Sequence, residues 1–132
     1  MEPRARNFQD LLVWQRAHEI TLAIYRLTAG FPNHERFGLC SQMQRAAVSV
    51  PANIAEGFKR RGRADKARFL NIAQASLEEC RYFLILTEDL GYANTASLMA
   101  LLDETSRFLD RYCHSLYSSS PSYSSPVTSD TT

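Results

Sequence analysis

Six cations fall within ten residues: Lys59, Arg60, Arg61, Arg63, Lys66 and Arg68. A cluster of this kind makes a local positive field that can hold phosphate oxygens and release condensed counterions. Of the 15 basic residues in the chain only Lys59 and Lys66 are lysine. The planar guanidinium of the others suits bidentate contacts to phosphate or carboxylate. Three readings fit the cluster: binding of a polyanion, pairing with acidic residues of a subunit or partner, and a solvated positive turn. No base-reading motif accompanies it, so binding would follow backbone or shape rather than sequence. Just upstream, Arg45, Ser49, Asn53 and Glu56 recur at helical spacing beside an apolar stripe. These residues either satisfy each other and a neighbouring helix or face a ligand or subunit.

Four helices must position these groups. Val13, Ala17, Ile20, Ile24 and Leu27 line one face of a first helix, with Asn7 and Asp10 spaced as a capping box and Gly30-Phe31-Pro32 as its stop. Leu39, Met43, Ala46, Val50, Ile54 and Phe58 give a second seam from about 39 to 61, with Pro51 inside it predicting a kink or local break. A third helix begins near Ala64 with Asp65 in its first turn, where negative charge is favoured. Its seam is Leu70, Ala73, Leu77, Cys80 and Leu84, and Gly91 provides a left-handed stop. Asn94 or Thr95 caps a fourth helix carrying Leu98, Leu102, Thr105, Leu109, Tyr112 and Leu116. The second and third helices, at roughly 25 residues each, reach about 38 Å. Short connections and coiled-coil-like seams predict an all-α, antiparallel up-down-up-down four-helix bundle over 9–117. Residues 1–8 read as an N-terminal arm. Residues 118–132 hold seven Ser, three Thr and two Pro, and read as a disordered tail.

Composition narrows the class further. Hydrophobic residues are 45% and charged residues 22%, as in an ordinary globular domain, and the formal charge of +1 conceals the clustered cations. No apolar run is long enough for a membrane span and Met1-Glu2-Pro3-Arg4 does not open a signal peptide, so a soluble cytoplasmic protein is expected. Cys40, Cys80 and Cys113 are odd in number and fall at apolar helical positions, which reads as buried thiols. A di-metal carboxylate site in a bundle needs Glu-x-x-His on two helices. His18 is preceded at that spacing by Gln15 and His114 by Arg111, while His34 falls in a connection. There is no phosphate-binding glycine loop, and Cys113-His114, as sequence neighbours in a helix, point apart. The chain is therefore expected to be non-catalytic, without metal or cofactor.

The chain resembles the four-helix-bundle proteins of the 23S ribosomal RNA intervening sequence, the S23 family. The resemblance spans roughly Phe8 to Tyr117. It is carried by Asp10-Leu11-x-Val13-Trp14-Gln15-x-Ala17-His18, Phe31-Pro32 and Glu35-Arg36-Phe37-Gly38-Leu39. It continues through the run Arg45 to Gly57, then Arg68-Phe69-Leu70-x-Ile72-Ala73, Ser76-Leu77-x-Glu79 and Asp89-Leu90-Gly91-Tyr92. The resemblance implies a ring-shaped homopentamer. It also implies relatives that include the accessory protein of diversity-generating retroelements, which binds nucleic acid and works with a reverse transcriptase. A nucleic acid and a reverse-transcriptase-like or other protein are thus the implied partners, although membership alone assigns no activity. Lys59 and Lys66 stand where the family commonly has glycine and an acidic residue, which makes this corner more basic. Ala75 and Cys80 replace a usual glycine and leucine. Arg45, Asn53, Glu56 and Glu79 lie in the family's most characteristic motifs. The expectation is a register-fixing hydrogen bond from Arg45 or Asn53 to Glu79 or Glu56 across the second and third helices.

Overall fold

In the computed structural model, which describes residues 5–118, a short 3-10 turn (Phe8–Asp10) precedes four helices: α1 (Leu12–Thr28), α2 (Leu39–Lys59), α3 (Arg63–Asp89) and α4 (Ala96–Ser118). Each helix packs on its neighbours in sequence, and α1 closes the ring against α4, giving the antiparallel four-helix bundle. The tail from 119 onward lies outside the described residues. The seams read from periodicity form one core: Ala17, Ile20 and Ile24 meet Met43, Val50 and Ile54, then Leu70, Leu77 and Leu84, then Leu102 and Leu109. Burial of these side chains is the main driving force for the fold.

The capping box of Asn7 and Asp10 is present, but it closes the 3-10 turn rather than α1. Leu11 follows in extended conformation and is fully buried, so the chain bends to seat Leu11 before α1 begins. The turn also leaves Phe8 packed edge-on against Trp14, with ring centroids 5.1 Å apart.

Of the kink or local break expected at Pro51, the break does not occur: the α2 helix runs unbroken through it. Proline at this position deprives the Ala47 carbonyl, four residues back, of its helical donor. Thr21 of α1 supplies the substitute, its hydroxyl lying 3.0 Å from that carbonyl. The same hydroxyl is 3.1 Å from the Ala17 carbonyl. That carbonyl already has a backbone donor four residues on in α1, so the Ala47 carbonyl is the one in need. Both Thr21 and Ala47 are buried, which makes the replacement necessary.

Polar ties complete the assembly. Arg81 of α3 reaches Asp103 of α4 at 2.5 Å, and Arg16 of α1 lies 3.5 Å from Glu104 of α4. Gly91 has φ of +74°, the left-handed stop expected after α3. Around it Tyr92 donates its N–H to the Thr87 carbonyl and Gly91 to the Glu88 carbonyl, the Schellman pattern. Asn94 caps α4 by accepting from the Ala96 N–H, while Thr95 turns back and donates both N–H and hydroxyl to Glu88 at 2.9 Å.

Candidate nucleic-acid interface

The basic cluster occupies the end of the bundle where α2 passes into α3. The helix stops at Lys59, Arg60 becomes extended, and Gly62 leads into α3 without a side-chain cap. Helix ends leave carbonyls without partners, and here α3 provides one. Lys66 donates from Nζ to the Phe58 carbonyl at 2.8 Å and to the Gly57 carbonyl at 3.1 Å. It also sits 5.7 Å from the centre of the Phe58 ring. Burial lowers its pKa from the ordinary lysine value. Lys66 is thus a clasp on the end of α2, and its charge is directed inward.

The other five cations divide into two groups. Arg60 and Arg68 both lie over the Phe69 ring, at 4.6 Å and 4.4 Å from its centre. Each also meets a carboxylate of its own helix neighbourhood: Arg60 to Glu56 at 3.0 Å and Arg68 to Asp65 at 3.2 Å. Exposed pairs at this spacing contribute little, about 0.3–0.5 kcal/mol. A phosphate can therefore replace the carboxylate while the aromatic ring keeps each guanidinium in place. Lys59, Arg61 and Arg63 are exposed and form no ion pair among the described residues. These three carry the uncompensated charge of the corner.

A sixth outward cation at this end was not singled out from the sequence. Arg6, two residues before the 3-10 turn, shares a groove of about 390 Å³ with Lys59; Phe8, Ala52, Ala55 and Phe58 form its apolar lining, and Asn7 and Glu56 add polar groups. Arg6 and Lys59 are 53 positions apart, and only the docking of the turn onto α2 brings them together. A larger cavity, about 510 Å³, lies beside Tyr25, Arg36 and Phe37 at the opposite end of the bundle from the α2–α3 corner.

The polar row on α2 is architectural in part. Asn53 donates from Nδ2 to the Ser49 carbonyl at 2.8 Å and to the Ser49 hydroxyl at 3.0 Å. The Ser76 hydroxyl of α3 reaches the same Ser49 hydroxyl at 2.8 Å. At the level of this row, the polar link from α2 to α3 is therefore a pair of serines. The charged pairing expected there is not made: Arg45 and Glu79 are exposed, and Glu56 turns to Arg60.

All three cysteines are buried free thiols. Burial raises the pKa of Cys80 to about 12 and of Cys113 to about 11, so neither is held as a nucleophilic thiolate. Among the described residues no cluster of three or more His, Cys, Asp or Glu is placed to hold a metal. No described helix is long and apolar enough to cross a membrane.

Residues 9–111 match the model of the 23S rRNA-intervening sequence protein family. The chain belongs to that family. The fold is shared with a crystal structure of an S23 ribosomal protein family member of unknown function from Bacteroides thetaiotaomicron, at 24% identity and a TM-score of 0.67. That similarity covers 77% of this chain and 98% of the other. No curated protein matches the sequence. In this S23-family chain, then, the features particular to the corner are the inward-turned Lys66, the Phe69-stacked arginines and the three free cations.

Proposed function

We propose that this S23-family bundle binds the sugar-phosphate backbone of RNA or DNA through the α2–α3 corner, without catalysing a reaction. The supporting observation is the separation of roles within the cluster. Lys66 closes the helix end, while Lys59, Arg61 and Arg63 are exposed, with no ion pair among the described residues, beside two arginines that lie over Phe69. The family description refers to an intervening sequence of 23S ribosomal RNA, which makes structured RNA the first probe.

The test is fluorescence anisotropy of a labelled structured RNA and a DNA duplex across a salt series. Each phosphate neutralised on duplex DNA adds about −0.9 to the slope of log affinity against log salt. Changing Lys59, Arg61 and Arg63 to Gln together is expected to flatten the duplex slope by about three such increments. Absence of binding by the wild type at low salt would overturn the reading.

A second reading, a protein-interaction scaffold, draws on exposed apolar side chains. Leu22 and Tyr25 are exposed on α1, Val48 on α2, and Ile72, Tyr82 and Ile85 on α3. Exposed apolar side chains on different helices suit head-to-tail contacts between copies, which close into rings, as the homopentamer implied by family resemblance requires. A protein partner, a reverse-transcriptase-like enzyme included, would use the same faces. Charge reversal at Arg60 and Arg63 that dissociated the assembly would favour this reading over the first.

A further inference from the structure

We infer that the groove between the 3-10 turn and the C-terminal half of α2 receives an unpaired base of the bound strand, so that the protein favours single-stranded or looped nucleic acid over duplex. This rests on the backbone-binding reading above and adds a ligand class to it. Arg6 and Lys59 both line the groove, together with the rings of Phe8 and Phe58. Two of the positions that α2 contributes to the lining, Ala52 and Ala55, carry only methyl groups, which leaves room beside the turn. Its volume of about 390 Å³ is within the range of small-ligand sites.

The chemistry of the lining favours a base over a simple apolar guest. The Phe8 ring is fixed by its edge contact with Trp14, and the Phe58 ring by Lys66, so both are anchored, half-buried surfaces for a flat ring. The Glu56 carboxylate, balanced by Arg60 at 3.0 Å, adds an acceptor suited to a base amino group. Lys59 runs directly into Arg60 and Arg61, so phosphates flanking a base in the groove would meet the free cations of the corner. Positive charge along a backbone track beside aromatic surfaces is the arrangement by which proteins hold single strands. Bases paired in a duplex are stacked within it and cannot enter.

The experiment compares a fluorescein-labelled oligocytidylate of about 12 nucleotides with an abasic phosphodiester strand of equal length, at physiological salt. The wild type is expected to bind the base-bearing strand about tenfold more tightly. Ala52→Leu fills the groove at an exposed helical position without altering any charge, and circular dichroism would verify its fold. It is expected to abolish the tenfold preference and leave affinity for the abasic strand unchanged. Equal affinity of the wild type for the two strands, with a steep salt dependence, would overturn the base site and leave backbone binding standing. A preference that survives in Ala52→Leu would also overturn it. Failure to bind either strand would remove backbone binding and the base site together.

Discussion

Thr21 and Pro51 show how one hydroxyl can let a helix continue through proline. The Ala47 carbonyl loses its donor to the pyrrolidine ring and recovers one from α1 at 3.0 Å. Valine has nearly the shape of threonine but no hydroxyl, so Thr21→Val leaves a buried carbonyl unsatisfied. The expected cost is about 1–2 kcal/mol, read from urea denaturation. Pro51→Ala restores a backbone N–H at the position that should serve Ala47. In that background Thr21→Val is therefore expected to cost much less, and the double-mutant cycle measures the difference. Equal costs in both backgrounds would mean that the hydroxyl serves Ala17 or packing alone.

The ends of the helices are where side chains from another element do the work of caps. Lys66 clasps the last carbonyls of α2, so Lys66→Met should lower stability by about 1 kcal/mol, less than for a fully buried pair because water can reach this end. Its effect on nucleic-acid affinity should be smaller than that of Arg61→Gln or Arg63→Gln, measured by the same anisotropy titration. Glu88 ties α3 to the start of α4 through Thr95, whose backbone N–H is the larger cause of its lowered pKa and whose hydroxyl is the next. A carboxylate with a depressed folded-state pKa stabilises above its ordinary range, and that contribution is lost as pH falls through the lowered value. Wild type should melt above Glu88→Gln at neutral pH, and the gap should close on acidification below the usual glutamate range. Periodicity made these helices legible: Met43, Val50 and Ile54, like Leu70, Leu77 and Leu84, are buried as their spacing indicates. Gly91 was legible as well, because a left-handed stop after a helix has a local signature. The inward turn of Lys66 was not, since its partners are carbonyls, which every residue possesses and no pattern marks. The Ser49–Ser76 link and the meeting of Arg6 with Lys59 depend on which helix faces pack together, and spacing within one helix cannot specify that.

At the scale of the whole molecule, a formal charge of +1 is a poor guide to what the surface presents. Asp103 and Glu104 on α4 are engaged by Arg81 and Arg16, while the α2–α3 corner keeps Lys59, Arg61 and Arg63 uncompensated. Arg26 and Arg36 lie at the other end, where α1 passes into α2. The 21 residues of α2 separate the two ends by about 30 Å. The Debye length is about 8 Å at physiological ionic strength, so a phosphate at the corner does not sense the far arginines. Two double variants, Arg61→Glu with Arg63→Glu and Arg26→Glu with Arg36→Glu, change the net charge equally. If the corner binds nucleic acid, the first should weaken RNA affinity by about tenfold or more at physiological salt, and the second by less than about twofold. At about 0.01 M salt the Debye length grows to about 30 Å, comparable with the bundle itself. There the two variants should converge, as the far end enters the field felt by the ligand. Equal losses at both salt concentrations would mean that net charge, rather than this corner, governs binding, because only a localised site makes the difference depend on screening.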